Sequence, residues 1–266
     1  MSRIATALKP QLVSEPVPRI HDAYDQEYYA VNGPAENRGS AEHVVPLVSS
    51  LIHPRSVVDV GCGSGAWLNI FQQHGAQRIL GLDGHNVDPT WLCIPKGCFR
   101  AVGLSQPFEL AEFFDLPICL EVAEHLPVRS PRGFMRSLVR LAPVVLFSAA
   151  IPLQGGTHHV NEQWPAYWQE LFEEHGYRIL DLIRKEIWSM PEVQFWYWQN
   201  ILLFVRDDLV ATRANFQEAA SFAGDLILIH REILERQFGL RSLLRHLPGS
   251  TLRAARQIAR RLSLAA

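Results

Sequence analysis

The chain has 266 residues, of which 48% are apolar and 20% are charged, a balance typical of a soluble enzyme with one main domain. Its formal net charge of −2 predicts no overall field that attracts nucleic acid, and no apolar run is long enough to span a bilayer. The four cysteines include no Cys-x-x-Cys pair, which indicates reduced thiols and a cytoplasmic location.

The amino-terminal residues precede the regular part of the chain. Residues 1–20 contain Pro10, Pro16 and Pro18 and are predicted to form an irregular leader. The aromatic, turn-rich segment 24–34 is typical of a lid over a ligand, or of a helix packed on the core. Residues 40–52 carry apolar side chains at helical spacing, so we expect a helix there.

Residues 57–65 form the most informative segment of the chain, Val-Val-Asp-Val-Gly-Cys-Gly-Ser-Gly. The apolar run predicts a buried strand, and the glycines predict a tight loop that a ligand can approach closely. Apolar side chains from Trp67 to Phe71 recur at helical spacing before Gly75, which indicates a helix after the loop. The Gly-x-Gly-x-Gly spacing favours S-adenosylmethionine over the dinucleotides, which require Gly-x-Gly-x-x-Gly.

An acidic residue follows the next predicted strand. Asp83 ends the apolar run 78–82 and lies 18 residues beyond Gly65. At this position in nucleotide-binding folds a carboxylate accepts hydrogen bonds from the ribose hydroxyls. The alternative is a turn aspartate, because Asp-Gly is also a common turn dipeptide.

Together these segments resemble the class I S-adenosylmethionine-dependent methyltransferases over about residues 20–205. VVDVGCGSG is similar to the first motif of that family and GLDG to the second, while 115–127 and 144–152 resemble its fourth and fifth strands. The resemblance implies a Rossmann-like α/β fold with a seven-stranded, mostly parallel sheet and an antiparallel last strand. Residues 177–187 and 199–205 are the predicted final strands, which places the methyltransferase domain at 21–206.

The resemblance also implies a set of cofactor-binding residues. Those of the first loop, facing the methionine part of the cofactor, are Asp59, Gly61, Cys62, Gly63 and Gly65. Asp83 would hold the ribose. Leu104 lies in the region where related proteins carry an acid near the adenine, and it offers only backbone and packing contacts.

Glu121, Glu124 and His125 follow the fourth predicted strand with i, i+3, i+4 spacing, which predicts that they share one face of a helical turn. Carboxylates and an imidazole that converge are suitable ligands for Mg²⁺, Mn²⁺ or Fe²⁺. The loop after strand five contains His158 and His159 and is expected to reach the same place, because strands four and five are neighbours in this fold.

This pattern is similar to the metal-dependent O-methyltransferases of quinone biosynthesis and to small-RNA terminal 2′-O-methyltransferases. The resemblance implies the metal ligands Glu121, Glu124, His125 and His159, with His158 as the substitute. The alternative is a site without metal, in which the acid caps a helix and His159, His125 or His158 acts as the catalytic base.

We therefore expect an O-methyltransferase that acts on a hydroxyl of a sugar, glycan or small polyhydroxylated molecule rather than of a nucleic acid. A vicinal diol is the acceptor that suits such a site best. A bound metal would lower the pKa of that hydroxyl. Two alternatives are an NAD-dependent oxidoreductase and a methyltransferase fold that has lost turnover and serves as a binding module.

Residues 207–266 lie outside the resemblance and are predicted to form a helical, basic extension. From Arg241 onward it contains six arginines and no acid. Such an amphipathic tail is typical of a peripheral contact with an anionic membrane, here the inner face. The alternative is a helix docked on its own domain or on a dimer partner.

Overall fold

A computed structural model of the chain describes residues 34–85, 87–221 and 229, and within them strands and helices alternate. The strands are β1 (Ser56–Val60), β2 (Arg78–Asp83), β3 (Phe99–Ala101), β4 (Leu116–Leu120), β5 (Val144–Ser148), β6 (Tyr177–Leu180) and β7 (Leu202–Arg206). The helices are α1 (Pro34–Ile52), α2 (Ala66–Gln73), α3 (Pro131–Val139), α4 (Pro165–Glu173), α5 (Arg184–Ile187), α6 (Phe195–Asn200), α7 (Asp207–Val210) and α8 (Ala214–Ser221).

The seven strands form one sheet in the order β3-β2-β1-β4-β5-β7-β6. The first five strands pair in parallel, and β7 pairs antiparallel with both β5 and β6. This arrangement confirms the predicted fold class, including its antiparallel last strand. The carboxyl ends of β1, β2, β4 and β5 consequently meet at one edge of the sheet.

The sheet is buried between two layers of helices. Every residue of β1, β4 and β5 is buried, as expected for parallel strands covered on both faces. Successive side chains of a strand point to opposite faces, so Val57 packs in the core beneath α1 and α2, while Val58 packs in the core beneath α3 and α4. The result is a three-layer α/β/α domain.

Two predicted strands extended too far. Strand β6 ends at Leu180, and Arg184–Ile187 forms α5, in which the buried Arg184 pairs with Asp181 at 2.6 Å. The spacing of the buried Leu180, Ile183 and Ile187 is helical, a pattern that the strand prediction overlooked. Similarly, residues 199 and 200 end α6, and β7 begins only at 202.

The leader 1–20, the aromatic segment up to residue 33 and most of the basic extension lie outside the described residues, so the domain boundaries stay predictions. Helices α7 and α8 are described, and Phe216 of α8 is buried in the core. Among the described residues, no helix combines the length and apolar character needed to span a membrane.

Candidate active site

The glycine loop after β1 has the backbone conformation that its sequence predicts. Gly61, Gly63 and Gly65 all have positive φ, with values of 91°, 51° and 76°. A Cβ atom on Gly61 would lie 2.2 Å from Cγ2 of Val122, and one on Gly65 would lie 2.9 Å from Cγ1 of Ile94. At Gly61 and Gly65 a side chain is therefore excluded both by contacts with neighbouring segments and by the positive φ. The contact with Val122 brings the segments after β1 and β4 together.

Asp83 lies at the end of β2 and closes the same loop. Its Oδ2 accepts a hydrogen bond from the amide of Gly63 and its Oδ1 accepts one from the amide of Gly84, both at 2.6 Å. A carboxylate has about four acceptor positions, so two stay available for a pair of ribose hydroxyls. Burial raises the pKa of Asp83, and these two amides oppose that rise. Asp83 therefore has acceptor positions that the hydroxyls of a ribose could use.

The other predicted cofactor residues are Asp59, Cys62 and Leu104. Asp59 is buried in β1, and burial together with the charge of Asp83 raises its pKa well above the ordinary value. Cys62 is buried against Gly81, where a Cβ would approach its Sγ to 2.7 Å. Leu104 is half-buried and packs against the α3–α4 side of the core.

A second cluster of polar residues lies at the same sheet edge. Glu124, His125 and His159 each place one potential ligand atom within 4.8 Å of the others. The carboxylate of Glu124 is fully buried, and neither of its oxygens accepts a hydrogen bond of normal geometry. The rings of His125 and His159 meet edge to face, with 4.9 Å between centroids. The structure therefore brings together three of the four predicted metal ligands.

Glu121, the fourth predicted ligand, lies close enough to Glu124 to raise its pKa but is not among the three side chains whose ligand atoms lie within 4.8 Å of one another. It has a φ of 54°, and only Ala123–His125 form a 3-10 turn, so the prediction of one shared helical face was wrong. Its carboxylate accepts hydrogen bonds from Nδ2 of Asn200 and Nε2 of Gln154, both at 3.0 Å. Burial raises the pKa of Glu121, and these two amides oppose that rise.

Two groups in the β5–α4 loop orient the histidines. Nδ1 of His159 donates to Oε1 of Glu162 at 2.9 Å, and Nδ1 of His125 lies 3.3 Å from the carbonyl oxygen of His158. The exposed side chain of His158 does not join the cluster. A Cβ on Gly156 would lie 2.2 Å from Nε2 of His159, so only glycine leaves room for that ring. Sequence reasoning had given Glu162 no role, although an acid three residues after a histidine was visible.

Comparison with known proteins identifies the family. Residues 35–184 match the family model described as a methyltransferase domain. The chain belongs to this family. It is an S-adenosylmethionine-dependent methyltransferase, and the match decides against the NAD-dependent oxidoreductase alternative. No curated protein matches the sequence significantly.

Solved structures of similar fold support the same architecture. Magnesium protoporphyrin IX methyltransferase from Synechocystis PCC 6803 with bound SAH aligns with a TM-score of 0.51 and 19% identity, covering 71% of this chain and 98% of its own. DesVI from Streptomyces venezuelae aligns with a TM-score of 0.50 and 14% identity, covering 70% and 97%. At these low sequence identities, the structural similarity shows that this methyltransferase shares the fold of the two proteins.

Burial sets the protonation chemistry of the second cluster in the methyltransferase. Burial, followed by the charge of Glu121, raises the pKa of Glu124 well above its ordinary value, and the opposing effect of nearby backbone amides is smaller. Burial and the adjacent His159 lower the pKa of His125 to about 4. At neutral pH His125 is therefore uncharged and able to donate a lone pair, while burial favours the protonated form of Glu124.

A small aromatic cluster borders the site. Ile151 and Phe195 are buried there, and Trp164, Trp196 and Trp198 pack against them half-buried. The cluster follows β5 and precedes β7, whose first residue pairs with Phe147 near the carboxyl end of β5, so it lies at the sheet edge where the carboxyl ends of the parallel strands meet. Other aromatic side chains of the same helices, such as Trp168 of α4 and Tyr197 of α6, are core residues.

Proposed function

We propose that this methyltransferase is a divalent-metal-dependent O-methyltransferase that acts on a vicinal diol of a sugar, glycan or small polyhydroxylated molecule. The observation that carries the proposal is the cluster of Glu124, His125 and His159 beside the cofactor loop. Val122, two residues before Glu124, touches Gly61 of that loop, so an acceptor bound at the cluster would be near the cofactor.

The chemistry of the three side chains supports a cation. The carboxylate of Glu124 is buried and its oxygens accept no hydrogen bond of normal geometry, so its ionised form is costly unless a cation lies beside it. One carboxylate and two imidazoles suit Mn²⁺ or Fe²⁺ and leave coordination positions open. A divalent cation held by these residues would supply Lewis-acid activation of the acceptor hydroxyl.

The proposed reaction transfers one methyl group. The acceptor oxygen forms a bond to the methyl carbon as the carbon–sulfur bond of the sulfonium breaks, which yields a methyl ether and S-adenosylhomocysteine. The hydroxyl proton leaves to a base or to solvent. The glycine loop and Asp83 hold the cofactor, and the cluster orients the acceptor oxygen toward the methyl carbon.

The acceptor class rests on the surroundings of the cluster. The half-buried rings of Trp164 and Trp196 provide faces for stacking against a pyranose or an aromatic ring. The net charge of −2 supports a small molecule or glycan rather than a nucleic acid. The predicted dimer or inner-membrane contact of the extension stays a prediction, because the arginine-rich residues from Arg241 onward are outside the described part of the chain.

Metal binding tests the proposal directly. Elemental analysis and Mn²⁺ titration followed by electron paramagnetic resonance should detect one bound ion in the purified protein. His159→Ala should lower Mn²⁺ affinity at least about tenfold, since one ligand is lost. His175→Ala provides the matched control, because His175 is exposed and precedes β6 at the opposite sheet edge. Mn²⁺ binding that neither variant alters would reject the cluster as the metal site.

Enzymatic turnover tests the acceptor class and the metal dependence of methyl transfer. Release of S-adenosylhomocysteine should be measured with a panel of catechols, sugars and glycans, and the product should carry the methyl group on oxygen. Chelation should abolish transfer and leave cofactor binding intact. Full activity after exhaustive chelation would favour the metal-free alternative, in which His159, held by Glu162, acts as general base. A protein that binds the cofactor and methylates no acceptor class would favour the binding module.

A further inference from the structure

The loop between β5 and α4 is organised around the carboxylate of Glu162. Oε2 accepts a hydrogen bond from the amide of Leu153 at 2.9 Å, and Oε1 accepts one from the amide of Gly155 at 2.8 Å. Oε1 also accepts from Nδ1 of His159 at 2.9 Å. One side chain thus joins the first half of the loop, its glycine turn and the cluster histidine.

This arrangement fixes which ring nitrogen of His159 carries the proton. The carboxylate of Glu162 accepts from two backbone amides and can only accept from the imidazole, so the proton is on Nδ1. A histidine side chain in water prefers its proton on Nε2. The fold therefore holds the less favoured tautomer, in which Nε2 keeps its lone pair.

The same loop places Nε2 in a confined position. The Cα of Gly156 approaches it so closely that a Cβ would lie at 2.2 Å, and one ring nitrogen of His159 lies within 4.8 Å of a ligand atom of Glu124 and of His125. Leu153 and His158 have left-handed backbone conformations, with φ of 75° and 58°. Non-glycine residues adopt such φ values only where surrounding contacts require them, and the hydrogen bond to Glu162 is such a contact for Leu153.

We propose that Glu162 is a positioning residue that holds His159 in the Nδ1–H tautomer and thereby presents Nε2 to Glu124 and His125. The tautomer of His159 follows from the hydrogen-bond geometry of Glu162 alone. The consequence for metal affinity rests on the proposed function, because it requires that the cluster binds a cation. A carboxylate behind a ligating histidine commonly has this role in metal sites.

The tautomer can be measured without metal or acceptor. In the full-length protein with ¹⁵N-labelled histidine, long-range ¹H–¹⁵N correlation spectra distinguish the two tautomers at a pH where imidazole is neutral. His159→Gln assigns the signals. The wild type should show the Nδ1–H pattern, and Glu162→Gln should shift the population toward Nε2–H. Glu170→Gln, an exposed acid in α4, is the matched control and should leave the pattern unchanged.

A second readout separates this inference from the proposed function. Glu162→Gln should weaken Mn²⁺ binding by about 10- to 100-fold, and Glu170→Gln should not. If the wild type binds no Mn²⁺ but shows the Nδ1–H tautomer, the metal proposal fails and the tautomer assignment stands. A wild-type Nε2–H pattern overturns the inference even where Glu162→Gln does not fold. Unchanged Mn²⁺ affinity in a folded Glu162→Gln protein overturns the positioning role.

Discussion

Asp83→Asn should weaken cofactor binding and leave the protein folded. The carboxylate accepts hydrogen bonds from the amides of Gly63 and Gly84 and has two acceptor positions left for the ribose. An asparagine of the same shape has only one acceptor oxygen, and its NH₂ group must face a backbone donor or a ribose hydroxyl. At least one of these interactions is lost.

The expected size follows from the charge of the lost acceptor. A hydrogen bond to a charged group contributes about 1.5–3 kcal/mol, which corresponds to a dissociation constant raised about 10- to 150-fold. Two effects on the stability of the fold oppose each other. Removal of the buried charge favours the folded state, because burial raises the pKa of Asp83, whereas the asparagine NH₂ must face the amide of Gly63 or of Gly84 and leaves that donor unpaired.

Calorimetric titration of S-adenosylhomocysteine into both proteins measures the effect, with thermal denaturation as the folding check. Asp208→Asn is the matched control, since Asp208 is exposed and follows β7 at the opposite edge of the sheet. It should bind the cofactor as the wild type does. An unchanged dissociation constant for Asp83→Asn would refute the assignment of the ribose to this carboxylate.

Three further predictions concern the loops around the site. Glu124→Gln should raise the melting temperature of the metal-free protein near pH 8 and not near pH 4, because a carboxyl whose folded pKa is raised above 4.5 loses its stabilising contribution as pH rises. In urea unfolding, Gly61→Ala should destabilise the protein by more than Gly75→Ala. Both glycines have positive φ, but a Cβ at Gly61 would collide with Val122, whereas nothing lies within 4 Å of a Cβ at Gly75. Equal losses of unfolding free energy would show that the segment containing Val122 moves to accommodate the added Cβ. Gly156→Ala should lower Mn²⁺ affinity by displacing the ring of His159. Gly97→Ala is the control, because a Cβ there would meet nothing within 4 Å, and it should leave Mn²⁺ affinity unchanged. Equal Mn²⁺ affinities of the two variants would contradict the position of the His159 ring beside Gly156.

The sequence by itself determined the elements whose signals are local. The apolar run before Gly61 and the helical spacing from Trp67 to Phe71 both correspond to observed elements, β1 and α2. Positive φ at the three loop glycines follows from residue type and spacing, and the acid after β2 follows from the motif order. Parallel strands bring the ends of β1 and β2 to one edge, which places Asp83 against the glycine loop.

Only the tertiary structure decided which polar side chains belong to the second cluster. Regular i, i+3, i+4 spacing predicts a common face only if the backbone is helical, and the left-handed φ of Glu121 breaks that condition. Its amide partner Asn200 is 79 residues away in the chain, at the end of a helix where the sequence predicted a strand. Such contacts between distant segments depend on how β7 and the loops are placed in space, which no local pattern encodes. Glu162 was near enough to His159 in the chain to be noticed, but its role depends on the turn that lets one carboxylate bind Leu153, Gly155 and the imidazole together.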